Sequence, residues 1–237
     1  MRTLGIIGGL GPLATAYFYR RVVELTPAAT DQEHIETWIR SCPQIPDRTA
    51  FLLGESAADP RPKMIEAGRS LVSCGADVLA IPCITAHAFH KDLEEGIGHP
   101  ILHAIRELGE VCRKRGIRNL GIMATDGARK SGIYDEILEE AGITCIWPEE
   151  PDQARVMHMI YDDVKAGRIL SETDFRSVGN ALSARGAEGI VLGCTELSQA
   201  TVTMELDPVY IDIIDVLAEA CVRECRIAKK KRGLDHA

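Results

Sequence analysis

The chain has 237 residues, 46% of them hydrophobic, and a formal charge of −8. This length can bury a sizeable core as one large domain or two small ones, and the apolar content excludes general disorder. The negative charge argues against broad binding to nucleic acid or to an anionic membrane surface, so neither is expected as a partner.

The N-terminal apolar run, 4–9, is too short and too rich in glycine for a signal peptide. No run of about 18 apolar residues predicts a membrane-spanning helix. Eight cysteines are spread along the chain, whereas disulfide scaffolds are small, secreted and dense in cysteine. We therefore expect reduced thiols and a cytoplasmic location.

Apolar runs alternate with amphipathic stretches through the first half of the chain. The runs at 4–8, 34–40 and 78–82 predict strands, and helical spacing is found at 12–25 and 60–74. The first of these helices begins with proline, which suits a first helical position. Short buried strands that alternate with helices are typical of a parallel sheet covered on both faces.

The second half repeats this pattern. Strands are predicted at 120–124 and 189–193. Helices are predicted at 133–141, 153–166, 173–184 and 213–231. The basic run at 229–232 is interpreted as a solvated helix end that the helix dipole favours.

The two halves can be aligned with each other. Residues 75–83 match 186–194 at an offset of 111 positions, and 4–7 match 120–123 at an offset of 116. Two matches in the same order predict an internal duplication. The expected fold class is therefore α/β, with two pseudo-symmetric doubly wound parallel-sheet domains and an active-site cleft between them. We assign residues 1–98 plus 206–237 to an N-terminal domain closed by the C-terminal helix, and 99–205 to the second domain.

Cys83 and Cys194 occupy equivalent positions, each after one of the matching strands. Ligands of doubly wound sheets bind at the carboxyl ends of the strands, so we expect both thiols to face one cleft. Two opposed thiols can remove a proton from one face of a carbon and return it on the other, which inverts a stereocentre without a cofactor. A helix N-terminus after each cysteine is expected to lower its pKa. Two core cysteines are the structural alternative.

Five motifs resemble the aspartate/glutamate racemase family: Gly8-Gly9-Leu10-Gly11-Pro12, Pro43-Gln44-Ile45-Pro46-Asp47-Arg48-Thr49, Pro82-Cys83, Thr85-Ala86-His87 and Gly193-Cys194-Thr195-Glu196. The resemblance covers nearly the whole chain. It implies racemisation of a small acidic amino acid without pyridoxal phosphate, by a two-domain protein that forms a homodimer.

The resemblance also assigns roles to single residues. Cys83 and Cys194 would be the two acid/base thiols, Arg48 and Lys165 would hold the distal carboxylate, and Thr85 would contact the α-carboxylate region. Thr195 belongs to the second cysteine motif and is expected to contact the substrate. The loop of Gly9, Leu10 and Gly11 is expected to offer backbone amides to a substrate carboxylate, as helix N-termini do.

Two positions depart from the family pattern. Ile84 stands where the family usually has asparagine, and Ala128 stands where it usually has threonine. Loss of a hydrogen-bond partner can cost about 1–3 kcal/mol, so we expect an altered substrate. Two further classes stay open: a related isomerase or decarboxylase acting on a maleate- or malonate-type acid, and a non-catalytic ligand-binding homologue.

Other signals point to neither a cofactor nor a metal. The loop at 9–14 imitates a dinucleotide-binding fingerprint, but no acidic residue ends the second strand and Pro12 removes an amide from the helix start. The histidine pairs at 87 and 90 and at 99 and 103 have zinc-like spacing, yet nothing in the sequence brings them into one shell. His87 lies one helical turn past Cys83 and is a candidate neighbour of that thiol.

Overall fold

The computed structural model describes residues 1–200, 202 and 204–227, with the side chains of 199 and 200 left out. The basic run predicted at 229–232 lies outside these residues. The first of two parallel sheets contains β1 (Leu4–Gly8), β2 (Thr37–Ser41) and β3 (Val78–Ala80) in the order β2-β1-β3. Leu4 is in register with Thr37 on one side and with Val78 on the other.

The second sheet contains β4 (Asn119–Met123), β5 (Thr144–Ile146), β6 (Gly189–Leu192) and β7 (Tyr210–Asp212) in the order β5-β4-β6-β7. All of its pairings are parallel. The first three strands of each half therefore follow one order, with the third strand beside the first. This equivalence confirms the predicted two-part parallel α/β fold.

Helices connect the strands and cover the sheets. They are α1 (Pro12–Leu25), α2 (Arg48–Leu53), α3 (Arg61–Ser73), α4 (His90–Ile97), α5 (Ala104–Arg115), α6 (Asp126–Ser131), α7 (Ile133–Glu140), α8 (Glu150–His158), α9 (Glu172–Ala184), α10 (Thr195–Ala200) and α11 (Ile213–Arg226). No helix among the described residues combines the length and apolar character needed to cross a membrane.

Local chemistry explains where several of these elements begin and end. The Thr125 side chain accepts a hydrogen bond from the amide of Ala128 and caps α6. Gly116 ends α5 in the left-handed conformation that glycine adopts without strain. The strand predicted at 34–40 begins later, at Thr37, and follows a 3-10 turn at Asp31–Glu33 and three irregular residues.

The two sheets share one hydrophobic core. Ile6 of β1, Ile122 of β4 and Leu217 of α11 are fully buried in the same cluster, and α11 packs against both α1 and α5. The segment 206–237, assigned from the sequence to the N-terminal domain, thus contributes β7 to the second sheet and α11 to the shared core. The domain boundaries stay a prediction.

Candidate active site

The two matching cysteines lie at the carboxyl ends of equivalent strands. Cys83 follows β3 and precedes a 3-10 turn at Ile84–Phe89, and Cys194 follows β6 and directly precedes α10. Both are nearly buried, at 8% and 7% exposure. They line one narrow cleft, whose walls are formed by Leu10, Asp47, Arg48, Thr49, Cys83, Ile84, Thr85, Thr125, Tyr161, Lys165, Cys194, Thr195 and Glu196.

A larger chamber of about 520 Å³ adjoins this cleft. Its walls are Gly9, Leu10, Gly11, Pro12, Leu13, Pro43, Ile45, Asp47, Arg48, Val164, Lys165 and Glu196. The two spaces share Leu10, Asp47, Arg48, Lys165 and Glu196. Every site residue predicted from the sequence lines one space or both, so the fold brings the predicted set together.

In the glycine loop, the backbone amide of Gly9 does not have the role that the sequence predicted. Gly9 has a φ of +88°, and its N–H already donates to the Thr15 hydroxyl at 2.9 Å. That hydroxyl donates in turn to the carbonyl oxygen of Gly11, also at 2.9 Å. The expectation that the Gly9 amide binds a carboxylate is therefore wrong, because this amide serves to hold the loop against α1.

Arg48 is a buried structural cation. It begins α2 directly after the N-cap residue Asp47. Its Nη1 atom donates to the carbonyl oxygens of Ile45 and Pro46, at 3.3 and 2.9 Å, and its Nη2 donates to that of Leu10, at 2.8 Å. Both terminal nitrogens thus hold the loops that form the chamber.

The remaining nitrogen of Arg48 is its buried Nε, which has no hydrogen-bond partner. Burial opposes the positive charge, but the neighbouring Cys83 and Asp47 favour it, and the pKa of Arg48 lies above its usual value. The Arg48 guanidinium therefore has Cys83 as a close neighbour. Arg48 thus lies beside the first thiol and also lines the chamber.

Lys165 reaches the cleft from the other half of the chain. It follows a π-helical turn at Met159–Val164, and its amide donates to the carbonyl oxygen of Ile160, five residues back. Such turns are frequent at functional sites. This turn leaves the Lys165 ammonium 3.9 Å from the centre of the Tyr161 ring and 3.8 Å from Oδ2 of Asp47.

The charge of Lys165 is maintained by its neighbours. Burial lowers the pKa of the ammonium, but its charged neighbours, Glu196 first and Asp47 among them, raise it by more, so the pKa lies above its ordinary value. Lys165 thus remains a cation between the second thiol and the chamber. Tyr161 and Asp47 were not predicted as site residues, and the only sequence signal for Asp47 was its place beside Arg48.

Cys194 is held as a thiol. Its Sγ donates to Oε2 of Glu196 at 2.9 Å, and the Thr195 hydroxyl donates to the same oxygen at 3.3 Å. Burial, and then the charge of Glu196, raise the pKa of Cys194 well above its usual value. The expectation that the following helix start lowers this pKa is wrong, because desolvation and the adjacent carboxylate outweigh it.

Replacement of Glu196 by glutamine is expected to make Cys194 more reactive. The change removes the negative charge that opposes the thiolate, and such charges shift a pKa by about one unit or more. We expect about tenfold faster labelling of Cys194 by iodoacetamide at pH 8, measured by mass-spectrometric peptide mapping. Glu139→Gln, on the exposed face of α7, is the matched control. Equal labelling in both variants would contradict this role for Glu196.

The two departures from the family pattern lie in apolar surroundings. Ile84 is 2% exposed and Ala128 is fully buried, and both belong to the shared core. Ile84 also lines the cysteine cleft. Beside it, the hydroxyls of Thr85 and Thr125 lie 3.0 Å apart, so Thr125 supplies a polar group that the sequence analysis missed.

His87, the expected neighbour of Cys83, lines a different cavity from the one that the two cysteines line. Its Nε2 donates to the carbonyl oxygen of Ile81 at 3.1 Å. Its ring clusters with those of His90 and His103, with ring centres 5.9 and 5.0 Å away, in a separate cavity of about 690 Å³. Burial, and then His90, lower the pKa of His87 to about 3. Among the described residues no group of three or more His, Cys, Asp or Glu is arranged to hold a metal ion.

The neutral His87 ring makes stability sensitive to acid. The folded ring resists protonation down to a pKa of about 3, whereas the unfolded ring is protonated below about pH 6.5. Stability is therefore lost as pH falls below 6.5, by about 2 kcal/mol from this ring at pH 5. Urea unfolding measures the loss of stability between pH 7.5 and pH 5. In His87→Gln this loss should be smaller than in the unsubstituted chain by about 2 kcal/mol. His99→Gln, near the surface, should lose as much stability as the unsubstituted chain. If the unsubstituted chain has the same free energy of unfolding at both pH values, the argument is refuted.

Comparison with known proteins agrees with this geometry. The broad specificity amino-acid racemase RacX of Bacillus subtilis is 24% identical over 234 residues, which cover 95% of this chain and 96% of the relative. The structure of Picrophilus torridus aspartate racemase matches with a TM-score of 0.81 and 27% identity, and the match covers 98% of this chain and 97% of that one.

A more distant structure shares the fold. Glutamate racemase from Francisella tularensis, solved with D-glutamate, matches with a TM-score of 0.67 at 15% identity, over 97% of this chain and 84% of that one. The family model described as Asp/Glu/Hydantoin racemase matches residues 7–221. That range contains both cysteines and all the walls of the cleft, and the chain therefore belongs to the Asp/Glu/hydantoin racemase family.

Proposed function

We propose that this chain inverts the α-carbon of an amino acid by proton transfer between Cys83 and Cys194. The observation that carries the proposal is the placement of these cysteines, one from each half of the duplicated fold, in the walls of a single narrow cleft. The names of the relatives, a broad specificity amino-acid racemase and an aspartate racemase, agree with this reaction.

The surroundings of the two sulfurs suggest how the resting protein begins. The Cys194 thiol keeps its proton and donates a hydrogen bond to Glu196. Cys194 therefore starts as the acid, and Cys83, beside the Arg48 guanidinium, acts as the base. The Cys83 thiolate takes the α-proton, and the electron pair of the broken C–H bond delocalises into the substrate carboxylate. Cys194 then gives its proton to the opposite face. The product leaves a thiol at 83 and a thiolate at 194, which is the starting state for the reverse reaction.

Lys165 is suited to stabilise the intermediate. Its ammonium lies in the walls of both the cleft and the chamber, where it can bind the α-carboxylate as negative charge accumulates there. The two thiols and this cation supply the acid, the base and the charge stabilisation, so the proposed reaction uses no cofactor.

The substrate class implied by the family resemblance is a small acidic amino acid, with Arg48 and Lys165 binding its distal carboxylate. The apolar Ile84 in the cleft favours a second candidate, an altered substrate. An isomerase or decarboxylase that needs one cysteine, and a non-catalytic binding protein, are the remaining classes that the experiment below separates.

The test is solvent exchange without added cofactor. The protein is incubated in D2O with both enantiomers of aspartate, glutamate and other amino acids, and with maleate and a substituted malonate. Deuterium at the α-carbon together with inversion supports the proposal. Turnover of maleate or the malonate without racemisation supports the second class, and saturable binding without exchange supports the third.

We further propose a cytoplasmic homodimer. The family resemblance supports the dimer, and the scattered cysteines support a reducing compartment. Light scattering coupled to size-exclusion chromatography tests the assembly. A mass near 26 kDa would show a monomer, since one chain weighs 25.9 kDa.

A further inference from the structure

The chamber beside the cysteines points to the kind of side chain that the substrate carries. We propose that the amino acid racemised by this chain has an uncharged, apolar side chain, which occupies the chamber of about 520 Å³. This inference rests on the proposed racemase function and replaces the acidic substrate that the family resemblance implies.

The walls of the chamber beyond the charged groups are apolar. The residues that form them are Leu10, Pro12, Leu13, Pro43, Ile45 and Val164. The volume is within the range of ligand sites, about 300–1,000 Å³, and greatly exceeds what the single carboxymethyl group of aspartate fills. A larger apolar side chain would remove this surface from water, which favours binding.

Both cations of the site already have contacts within the protein. Arg48 donates with both terminal nitrogens to backbone carbonyls, and its Nε is buried. Lys165 already faces Asp47 and is the remaining group for the α-carboxylate. A distal carboxylate would therefore have to compete with these contacts for the cations, and unpaired charge in a partly buried site is costly.

The charges in the chamber walls also favour an uncharged substrate side chain. Arg48 and Lys165 contribute two positive charges, and Asp47 and Glu196 contribute two negative charges to the same walls. A neutral amino acid enters as a zwitterion and leaves this balance at zero, whereas aspartate or glutamate would add an uncompensated negative charge.

A cationic side chain is disfavoured because both carboxylates have partners. Asp47 accepts the amide of Ala50 at 2.8 Å and lies 3.8 Å from Lys165. Glu196 accepts the Cys194 thiol and the Thr195 hydroxyl. A lysine-like substrate would have to compete with these contacts, and an apolar side chain has no such requirement.

The test compares substrates that differ in the side chain alone. α-Proton exchange in D2O is measured for L-alanine, L-methionine, L-phenylalanine, L-glutamate and L-lysine. We expect kcat/KM for methionine or phenylalanine to exceed the values for glutamate and lysine by about tenfold or more, since filling an apolar pocket discriminates by such factors. Higher kcat/KM for glutamate or lysine would overturn the apolar assignment and leave the racemase proposal intact. No exchange with any amino acid would overturn the racemase proposal itself.

A charge placed in the chamber wall tests whether the substrate side chain occupies the chamber. Leu13 lines the chamber and is 67% exposed, so Leu13→Arg adds a cation there without burying it. We expect the ratio of kcat/KM for glutamate to that for methionine to rise about tenfold. Tyr19→Arg adds the same charge to the exposed face of α1 and should leave this ratio unchanged. An equal ratio in both variants would show that the side chain does not occupy the chamber.

Discussion

Serine at position 83 or 194 is expected to lower kcat/KM for racemisation by about 10²–10⁴, the range that a positioned acid or base contributes. A hydroxyl is a far weaker acid than a thiol, so it cannot serve as a thiolate-like base and is slow to return a proton. Both enantiomers should be affected, because each thiol acts once in either direction. Chiral chromatography of the products measures the effect.

The control for this prediction is Cys74→Ser. Cys74 is exposed and ends α3, away from the cleft, and its replacement should leave the rate unchanged. Thermal unfolding of all three variants checks that each is folded. Inversion at an undiminished rate by either Cys83→Ser or Cys194→Ser would refute the two-thiol mechanism and favour a reaction that needs one cysteine.

Alanine at Gly9 is expected to have the largest effect of any change in the loop. Its φ of +88° is a conformation that side chains rarely adopt, and a β-carbon there would lie 2.2 Å from the backbone nitrogen of Cys42 and 2.8 Å from that of Pro43. Neither neighbour is a flexible side chain, so the loop has to move. Strain and displacement together are expected to cost about 3–4 kcal/mol in the free energy of unfolding.

Activity should fall with stability in Gly9→Ala, because the displaced loop carries the Leu10 carbonyl that binds Arg48. Gly75→Ala is the matched control: its φ is +96°, but nothing lies within 4 Å of the added carbon. Its free energy of unfolding should fall only by the cost of the strained backbone conformation, about 1–2 kcal/mol. Equal losses in urea unfolding would show that the contact with Cys42 and Pro43 is not what requires glycine at position 9.

The fold was largely predictable because its signals are local. The buried runs at β1, β4 and β6 form central strands and the run at β3 pairs directly with β1, and strands covered on both faces contain continuous apolar residues. Their repetition located Cys83 and Cys194 at equivalent strand ends. The helix α5 was missed even though its apolar positions have helical spacing and Gly116 ends it. β7 was also missed, because three residues carry too little pattern.

The site was predictable in its members but less so in their contacts. The motif around Arg48 indicated a substrate cation, whereas the folded chain engages both its terminal nitrogens with carbonyls 2, 3 and 38 residues away. Glu196 stood in the motif of Cys194, but only burial and a contact of 2.9 Å make it the acceptor of the thiol proton. Lys165 could be singled out by resemblance alone.

By itself, the amino-acid sequence determined that the fold is duplicated, that it is built on parallel strands, and that two cysteines follow equivalent strands. Apolar periodicity and motif spacing are properties of neighbouring residues and need no tertiary structure. The tertiary structure decided which groups contact Arg48 and Lys165, that the Cys194 thiol donates to Glu196, and how much apolar space lies beside the thiols. Those properties depend on desolvation and on distances between segments far apart in the chain, and folding alone establishes both.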